Sequence, residues 1–137
     1  MIIEKGNSDN VKAVVKGLND FNLAKEPAQG PTWQPIEWIA KAENGQLMGG
    51  ILGGVGYWMG LEIYILWVEE AYREKGIGKA LLQKMEKEAA ELGATISMLD
   101  TFDFQAEGFY RKMGYTEFGR IRDFPKGRNR IYLSKAL

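Results

Sequence analysis

The sequence predicts a single α/β domain of the mixed α+β kind, in which a twisted, mostly antiparallel sheet of about seven strands is flanked by helices. Three runs of β-branched, aromatic and glycine residues lie between positions 36 and 68, separated only by turn signals, as in an antiparallel meander. Segments with helical apolar spacing lie on either side of this meander. The resulting order is β-α-β-β-β-α-β-α-β-β over residues 1–137, with no repeat or linker that would divide the chain.

The N-terminal part is predicted to contain a strand, a helix and a loop. Residues 1–5 form the strand, and Ser8 or Asp9 caps the helix that follows. Residues 26–35 contain three prolines and a glycine and therefore form a loop, in which Trp33 either plugs the edge of the core or lines a pocket. The helix is expected to turn its regularly spaced apolar residues toward the core: Val11, Val14, Val15, Leu18 and Phe21.

The meander follows from alternation and turn chemistry. Residues 36–43 alternate polar and apolar, and Asn44-Gly45 is the strongest short-range signal for a hairpin turn. The return strand, 46–58, is rich in glycine, which indicates bulges or close backbone approach. A dinucleotide-binding fingerprint is excluded there because Met59 stands where a third glycine is required. The third strand of the meander covers residues 61–68.

The C-terminal half begins with a helix over 77–92, ended by Gly93, whose apolar face is Ile77, Leu81, Met85, Ala89 and Leu92. The strand 95–99 is reached by this helical crossover and should therefore run parallel to 61–68. Asp103 is predicted to cap a short helix, 104–112. Residues 115–121 and 130–137 pair as a final hairpin.

Composition excludes several kinds of chemistry. There is no cysteine and no histidine, so disulfides, a thiolate nucleophile, Ser-His or Cys-His catalysis and His-based zinc sites are ruled out, and no metal is expected. The net charge is zero and no apolar run could span a bilayer, so neither nucleic acid nor a membrane is an expected partner. The N-terminus lacks a signal-peptide pattern, and the cytoplasm is the expected location.

Charge is nevertheless uneven along the chain. Residues 111–137 hold eight Lys or Arg against two Asp or Glu, a balance of +6, and the rest of the chain carries −6. This segment is either a solvated basic face or a counter-surface for a polyphosphate ligand.

A glycine-spaced basic loop, Arg73-Glu-Lys-Gly-Ile-Gly78, joins the strand 61–68 to the helix 77–92. Free backbone N–H groups converge at a helix N-terminus, where the helix dipole also favours an anion. A Walker A loop would require glycine at 73 and a hydroxyl at 80, where Arg73 and Ala80 stand, so nucleotide hydrolysis is not expected. The loop therefore predicts binding of a phosphate group of another kind.

The loop, with the strand before it and the helix after it, resembles the acyl-CoA pyrophosphate loop of GNAT-type N-acetyltransferases. The segment Ala106-x-x-Phe109-Tyr110-Arg-Lys-Met-Gly114-Tyr115 is similar to that family's second signature. The predicted element order is also the family's topology over essentially the whole chain. The resemblance implies an enzyme that transfers the acetyl group of acetyl-CoA to an amine by direct attack in a ternary complex, and a homodimer built on the C-terminal strands.

The resemblance also implies roles for individual residues. It assigns the pyrophosphate to the main chain of the loop, with charge from Arg73 and Lys75, and the pantetheine to exposed main-chain groups of the preceding strand. One of those strand N–H groups could polarise the thioester carbonyl. The expected cofactor-binding residues are Leu66, Trp67, Val68, Arg73, Glu74, Lys75, Gly76, Ile77, Gly78, Lys79 and Ala80.

Tyr110 matches the family's general acid, which protonates the departing CoA thiolate; otherwise it is a core aromatic beside Phe109. Glu62 lies eleven residues before Arg73, where some members of the family carry a general base. Asp100 and Asp103 are competing candidates for the base. At 103 the family often has asparagine in contact with CoA, and an aspartate there would repel phosphate.

The acceptor is expected to be an amine on a small molecule or a peptide. Four aromatic residues and three carboxylates would suit a cationic amine such as a polyamine, an aminoglycoside or a lysine side chain: Trp33, Trp58, Phe102, Phe104, Glu62, Asp100 and Asp103. The same residues could be core and caps. A non-catalytic acyl-CoA sensor on the same fold is the alternative function.

Overall fold

The computed structural model describes all 137 residues and contains one sheet, with two of its three helices packed on one face. The sheet has six strands in the spatial order β1-β2-β3-β4-β6-β5. The strands are β1 (Gln34–Lys41), β2 (Leu47–Val55), β3 (Gly60–Val68), β4 (Ile96–Phe102), β5 (Thr116–Arg122) and β6 (Asn129–Ala136). The helices are α1 (Ser8–Lys25), α2 (Ile77–Glu91) and α3 (Glu107–Lys112), with a 3₁₀ turn at Glu70–Tyr72. None of the helices combines the length and apolar composition needed to cross a membrane.

The predicted strand at residues 1–5 does not form, which is why the sheet has six strands and not seven. These residues are exposed and lie beside no strand edge. A strand requires a neighbour for its backbone N–H and C=O groups, and this segment has none. The local pattern of the sequence could not reveal that absence.

The helix α1 forms as predicted, but its cap and its packing differ from the prediction. Asn7, rather than Ser8 or Asp9, is the N-cap, and it exchanges side-chain hydrogen bonds with Asn10 in a capping box. No residue of α1 is buried. The apolar stripe expected to face the core is more than half exposed at every position: Val11, Val14, Val15, Leu18 and Phe21.

The strands β1, β2 and β3 form the predicted antiparallel meander. Gly45, with φ of +86°, makes the predicted turn between β1 and β2. The glycines of β2 allow close approach, as predicted: a Cβ added at Gly53 would lie 2.3 Å from the Glu62 carbonyl oxygen, and one at Gly54 would lie 2.4 Å from the Trp33 ring. A bulge in the β2–β3 register gives β3 one extra residue, Tyr64.

The helix α2 connects β3 to β4, which run parallel as predicted, and it ends before Gly93, whose φ is +103°. Its buried residues are Leu81, Leu82, Met85 and Ala89. Ile77 is partly buried and Leu92 is 38% exposed, so the buried face lies closer to Leu82 than the spacing predicted. The core also contains residues from all the other strands except β5, and Tyr110 of α3.

The predicted final hairpin forms between β5 and β6, and β6 inserts between β5 and β4. Asp103 does not cap α3, which begins at Glu107 after Ala106 without a side-chain cap. The Asp103 carboxylate instead accepts hydrogen bonds from the backbone N–H (2.9 Å) and the side-chain amide (3.1 Å) of Asn129. Asp103 therefore ties the end of β4 to the start of β6.

Most of the basic C-terminal segment is paired within the chain. Arg111 and Arg120 bind Glu107 and Glu117, and Lys135 binds Glu86 at 2.9 Å. The positive balance of residues 111–137 is thus largely met by carboxylates elsewhere in the fold, which favours a surface of paired charges over a binding face.

Candidate functional site

The loop before α2 presents a continuous row of unpaired backbone donors. The six N–H groups from Glu74 to Lys79 have neither a backbone nor a side-chain acceptor in the chain. The N–H of Ala80 donates to the Gly76 carbonyl at 3.0 Å, so the row ends at Lys79. Six free donors at the positive end of a helix are a suitable environment for a pyrophosphate.

Backbone conformation turns these donors in a common direction. Gly76, the N-cap of α2, has φ of +82°, in the left-handed region that favours glycine. Glu74 also has positive φ, +60°, which is unusual for a residue with a long side chain. Alternation of left- and right-handed residues curls a chain into a concave anion-binding nest.

The two basic residues predicted in the loop have different surroundings. The Arg73 Nε donates to the Val68 carbonyl at 2.9 Å, so Arg73 links the loop to the end of β3. The Lys75 ammonium lies 5.5 Å from the centroid of the Tyr72 ring. Both side chains are exposed and near the free amides, so their charges add to the local positive potential.

The strands β3 and β4 separate within the sheet. They pair only where Gly60, Leu61 and Glu62 face Ile96, Ser97 and Met98. Beyond Glu62 the edge of β3 that faces β4 has no strand partner, and this stretch contains Leu66, Trp67 and Val68. An extended chain that entered the opening could pair with that free edge, as a peptide adds to a sheet.

Tyr110 lies on α3 and is 7% exposed. Its ring packs edge-on against Phe109, with 5.2 Å between centroids, and against Tyr115, with 5.9 Å. The hydroxyl makes no hydrogen bond within the chain. Burial, together with the negative charge of Asp100, raises the pKa of Tyr110 to about 12. The phenol is therefore held in its protonated form.

Glu62 lies at the last paired position before β3 and β4 separate, opposite Met98. Its side chain is exposed, and it is on the sheet face that α2 does not cover, because its neighbours Leu61 and Ile63 face the core. Partial burial and the neighbouring Glu62 carboxylate raise the pKa of Tyr64. The Tyr64 ring stacks on Trp33 with 5.6 Å between centroids. Glu62 is thus the acidic end of an aromatic patch made by Trp33 and Tyr64.

The two aspartates predicted as alternative bases are both engaged. Asp100 accepts a hydrogen bond from the Arg130 Nε at 2.8 Å, and the terminal nitrogen Nη2 lies 2.6 Å from the same oxygen in a salt bridge. Asp103 is bonded to Asn129, and its Oδ1 is buried without a hydrogen bond. Glu62 forms no ion pair. Of the three carboxylates, Glu62 is the only one without a salt bridge, since Asp100 pairs with Arg130 and Asp103 with Arg128.

The other predicted aromatic residues form separate groups. Phe102 stacks on Phe104 at 5.2 Å, and the Arg130 guanidinium lies 5.4 Å from the Phe102 ring. Trp58 instead donates its indole N–H to the Glu26 carbonyl at 3.3 Å, beside the end of α1. The structure thus brings Trp33 near Glu62 and Phe102 near Asp100, and it leaves Trp58 in a structural contact.

Two residues of the site were not identified from the sequence. Tyr64 lies two residues after Glu62, and the period of two in a strand indicates that both side chains share a face. Arg130, which holds Asp100, gave no signal, since the contact depends on the β4–β6 register, in which Phe102 faces Arg130.

Comparisons with known proteins agree with this geometry. Residues 18–115 match the family model described as the acetyltransferase (GNAT) family. A blasticidin-S acetyltransferase from Streptomyces morookaense is 39% identical over 108 residues, 76% of this chain and 79% of the relative.

The chain is also similar to solved structures. The crystal structure of an acetyltransferase from Bacillus cereus superposes with a TM-score of 0.91 at 33% identity, covering 100% of this chain and 98% of the other. A complex with acetyl coenzyme A, assigned as a streptothricin acetyltransferase from Bacillus anthracis, superposes with a TM-score of 0.67 at 26% identity, covering 80% of this chain and 65% of the other.

Proposed function

The chain belongs to the GNAT family of acetyltransferases, and on that premise we propose that it moves the acetyl group of acetyl-CoA to a primary amine of a small cationic molecule. The observation that carries the donor half of this proposal is the row of six free N–H groups at the start of α2, next to the opening between β3 and β4. The pyrophosphate would bind the row, and the pantetheine arm would pair with the free edge of β3.

The reaction requires two proton transfers and no covalent enzyme intermediate. The amine nitrogen attacks the thioester carbonyl carbon, a C–N bond forms, and the C–S bond breaks. The nitrogen gives up a proton to Glu62, directly or through water, and the departing thiolate takes one from the Tyr110 hydroxyl. Most of the rate acceleration would come from positioning the amine and from N–H groups that stabilise the developing oxyanion.

Glu62 is favoured as the base because of its surroundings. It stands where β3 and β4 part, and it has no cationic partner. Protonation would remove the salt bridge of Asp100 with Arg130, and it would remove that of Asp103 with Arg128. Each of those changes would leave a charged or polar group unpaired, which is costly.

The aromatic patch beside Glu62 also leads us to propose that the acceptor is cationic. The Trp33 and Tyr64 rings beside the Glu62 carboxylate can bind an ammonium group by cation–π attraction and by charge. Relatives of this chain include a blasticidin-S acetyltransferase. We therefore place antibiotics that carry a primary amine first among the candidates, ahead of polyamines and peptide lysines.

A thiol-release assay tests the proposal. Acetyl-CoA is combined with blasticidin S, a streptothricin, an aminoglycoside, spermidine and a lysine peptide, and CoA release is followed with the acetylated product verified by mass. We expect turnover with at least one small cationic amine. Glu62→Gln should lower kcat/KM for the amine by about 100-fold. Glu37→Gln, an exposed glutamate on β1, is the matched control and should be unaffected.

Two outcomes would contradict the proposal. Tight binding of acetyl-CoA without thiol release for any amine would instead support an acyl-CoA sensor. Absence of any thermal shift with acetyl-CoA would remove the donor assignment, since a ligand that binds only the folded state must raise its stability.

A further inference from the structure

We propose that this protein is a dimer in which each copy lays its α1 helix on the uncovered face of the other copy's sheet. Two apolar surfaces in the chain lack partners: one is a stripe along α1, and the other is one face of the sheet. A helix packed on a sheet would cover both. The inference does not depend on the proposed function, because the dimer can be tested without turnover.

The first surface is the apolar stripe of α1. Val14 is 73% exposed, Leu18 60% and Phe21 61%, and the Lys25 ammonium lies 5.8 Å from the centroid of the Phe21 ring. An isolated helix of 18 residues gains little from its own hydrogen bonds and needs a surface for its apolar stripe. The stripe is thus built for a contact that one chain does not supply.

The second surface is the sheet face opposite α2 and α3. The strand register places Ile39 of β1, Ile65 of β3 and Met98 of β4 on this side, because their sequence neighbours Trp38, Leu66 and Leu99 pack in the core. Ile39 is 57% exposed, Ile65 52% and Met98 40%. An exposed apolar patch that spans three strands is more than the scattered apolar residues of an ordinary surface.

The position of α1 points to a second copy as the occupant. The chain after α1 is fixed beside the β2–β3 turn, where the Gln29 N–H donates to the Tyr57 carbonyl at 2.8 Å and the Trp58 indole to the Glu26 carbonyl. Residues 1–25 are 25 of 137, about 18% of the chain, so the TM-score of 0.91 with the Bacillus cereus structure cannot be reached unless a large part of them superposes too. The outstretched helix is therefore a reproducible feature.

Reciprocal exchange satisfies both surfaces in a closed assembly. A two-fold axis places each helix on the partner's sheet and leaves no stripe open, whereas a one-way contact would continue into a filament. A helix of 18 residues is about 27 Å long and about 10 Å wide, so two helix-on-sheet contacts bury on the order of 1,100 Å² in total. That area reaches the threshold of about 1,000 Å² for a specific interface.

The exchange also places the partner's helix near the reacting groups. Met98 faces Glu62 in the β3–β4 register, so a helix over Met98 would border the acceptor side of the site. This consequence rests on the proposed function, and it implies that the dimer, rather than the single chain, encloses the amine.

Oligomeric state is the first test. We expect wild-type protein to be dimeric by light scattering, and Leu18→Glu to weaken dimerisation on the order of 100-fold by putting a charge into the apolar contact. Ala13→Glu is the matched control, since Ala13 is exposed on the opposite side of α1 and its variant should remain dimeric. A monomeric wild type, or equal weakening by both variants, would overturn the proposal.

Cross-linking then tells exchange from any other dimer. The chain has no cysteine, so only the introduced thiols can react with a cross-linker. A Leu18→Cys chain mixed with a Met98→Cys or Ile39→Cys chain should give a covalent heterodimer with a short bismaleimide. Lys87→Cys, on the outer side of α2, should not. A double variant that cross-links within one chain, or a heterodimer formed equally well with Lys87→Cys, would contradict helix exchange.

Discussion

Tyr110 and Tyr115 lie 5.9 Å apart, yet their hydroxyl groups have different surroundings. The Tyr115 hydroxyl is bonded to Ser97 at 2.7 Å and to Glu86 at 2.9 Å. Burial raises the pKa of Tyr115 far above its usual value. The Tyr110 hydroxyl has no partner in the chain. The first hydroxyl therefore stabilises the fold, and the second is available to a bound ligand.

Replacing each tyrosine by phenylalanine should separate these roles. Tyr110→Phe should lower kcat by about 100-fold with unchanged stability, because it removes a proton donor and no internal hydrogen bond. Tyr115→Phe should lower the free energy of unfolding by about 1–3 kcal/mol and leave kcat nearly unchanged. Steady-state kinetics and urea denaturation measure the two effects. Equal kcat values for wild type and Tyr110→Phe would contradict the assigned acid.

The pH dependence follows from the raised pKa of Tyr110, about 12. A general acid must be protonated to act, and a group with this pKa stays protonated throughout ordinary assay conditions. The kcat/KM for the amine should therefore rise with pH as the amine loses its proton, and then level off. A falling limb between about pH 8 and pH 10 that disappears in Tyr110→Phe would show that this pKa is not raised.

Glu74 brings a negative charge to the site expected to hold a pyrophosphate. Glu74 contributes only its backbone N–H to the row of free donors at the start of α2. Its φ is positive, a conformation that glycine adopts more easily. Glu74→Gln should tighten acetyl-CoA binding by about two- to five-fold at low salt, and the gain should shrink as salt rises. Titration calorimetry at two salt concentrations measures this. An unchanged affinity at low salt would mean that the carboxylate points away from the ligand.

At the scale of elements, the start of α2 and the separation of β3 from β4 together create the proposed donor site. The helix provides free N–H groups, and the strand provides an unpaired edge beside them. The β2 glycines permit this sheet geometry, since side chains at Gly49 or Gly53 would collide with β3 carbonyl oxygens. The donors and the strand edge therefore belong to two elements that follow one another in the chain.

The two loop glycines should respond differently to alanine. Gly76→Ala forces a Cβ into the left-handed region and should lower the free energy of unfolding by about 1–2 kcal/mol, with weaker acetyl-CoA binding. Gly78→Ala would place its Cβ 3.6 Å from the Phe109 ring, an ordinary contact, so stability should change by less than about 0.5 kcal/mol. Urea denaturation without ligand distinguishes them. Equal losses would show that the φ of Gly76 does not determine its role.

At the scale of the whole molecule, the fold consists of a core and an outlying helix. None of the sixteen residues in the apolar core belongs to α1. A chain that begins at Glu26 should therefore fold and show the same thermal shift with acetyl-CoA as the full chain. It should be monomeric and have lower kcat/KM for the amine, because the helix borders the acceptor side in the exchanged dimer. Loss of the acetyl-CoA shift would show instead that α1 supports the donor site.

Local patterns in the sequence were sufficient to predict much of the secondary structure of this molecule. The meander, the crossover helix, the parallel strand and the last hairpin were predicted because period and turn residues act over a few positions, as at Asn44-Gly45 and Gly93. The anion loop was recognised for the same reason, since Arg73 to Gly78 are contiguous. The cap at Asn7 was not predicted, because it depends on reciprocal hydrogen bonds with Asn10. The absence of the first strand was not predicted, because it depends on the lack of a neighbouring strand to pair with.

Tertiary structure alone decided which groups are free. Sequence named Glu62 as the candidate base and left Asp100 and Asp103 as competitors, and only the register of β4 with β6 engages Asp100 with Arg130 and places Asp103 beside Asn129. Sequence also gave α1 an apolar stripe without saying what it covers. The sequence by itself determined the chemical groups and their local geometry, because these depend on neighbours along the chain. Whether such a group is free to bind a ligand or accept a proton depends on contacts between residues far apart in sequence. Those contacts exist only in the folded molecule.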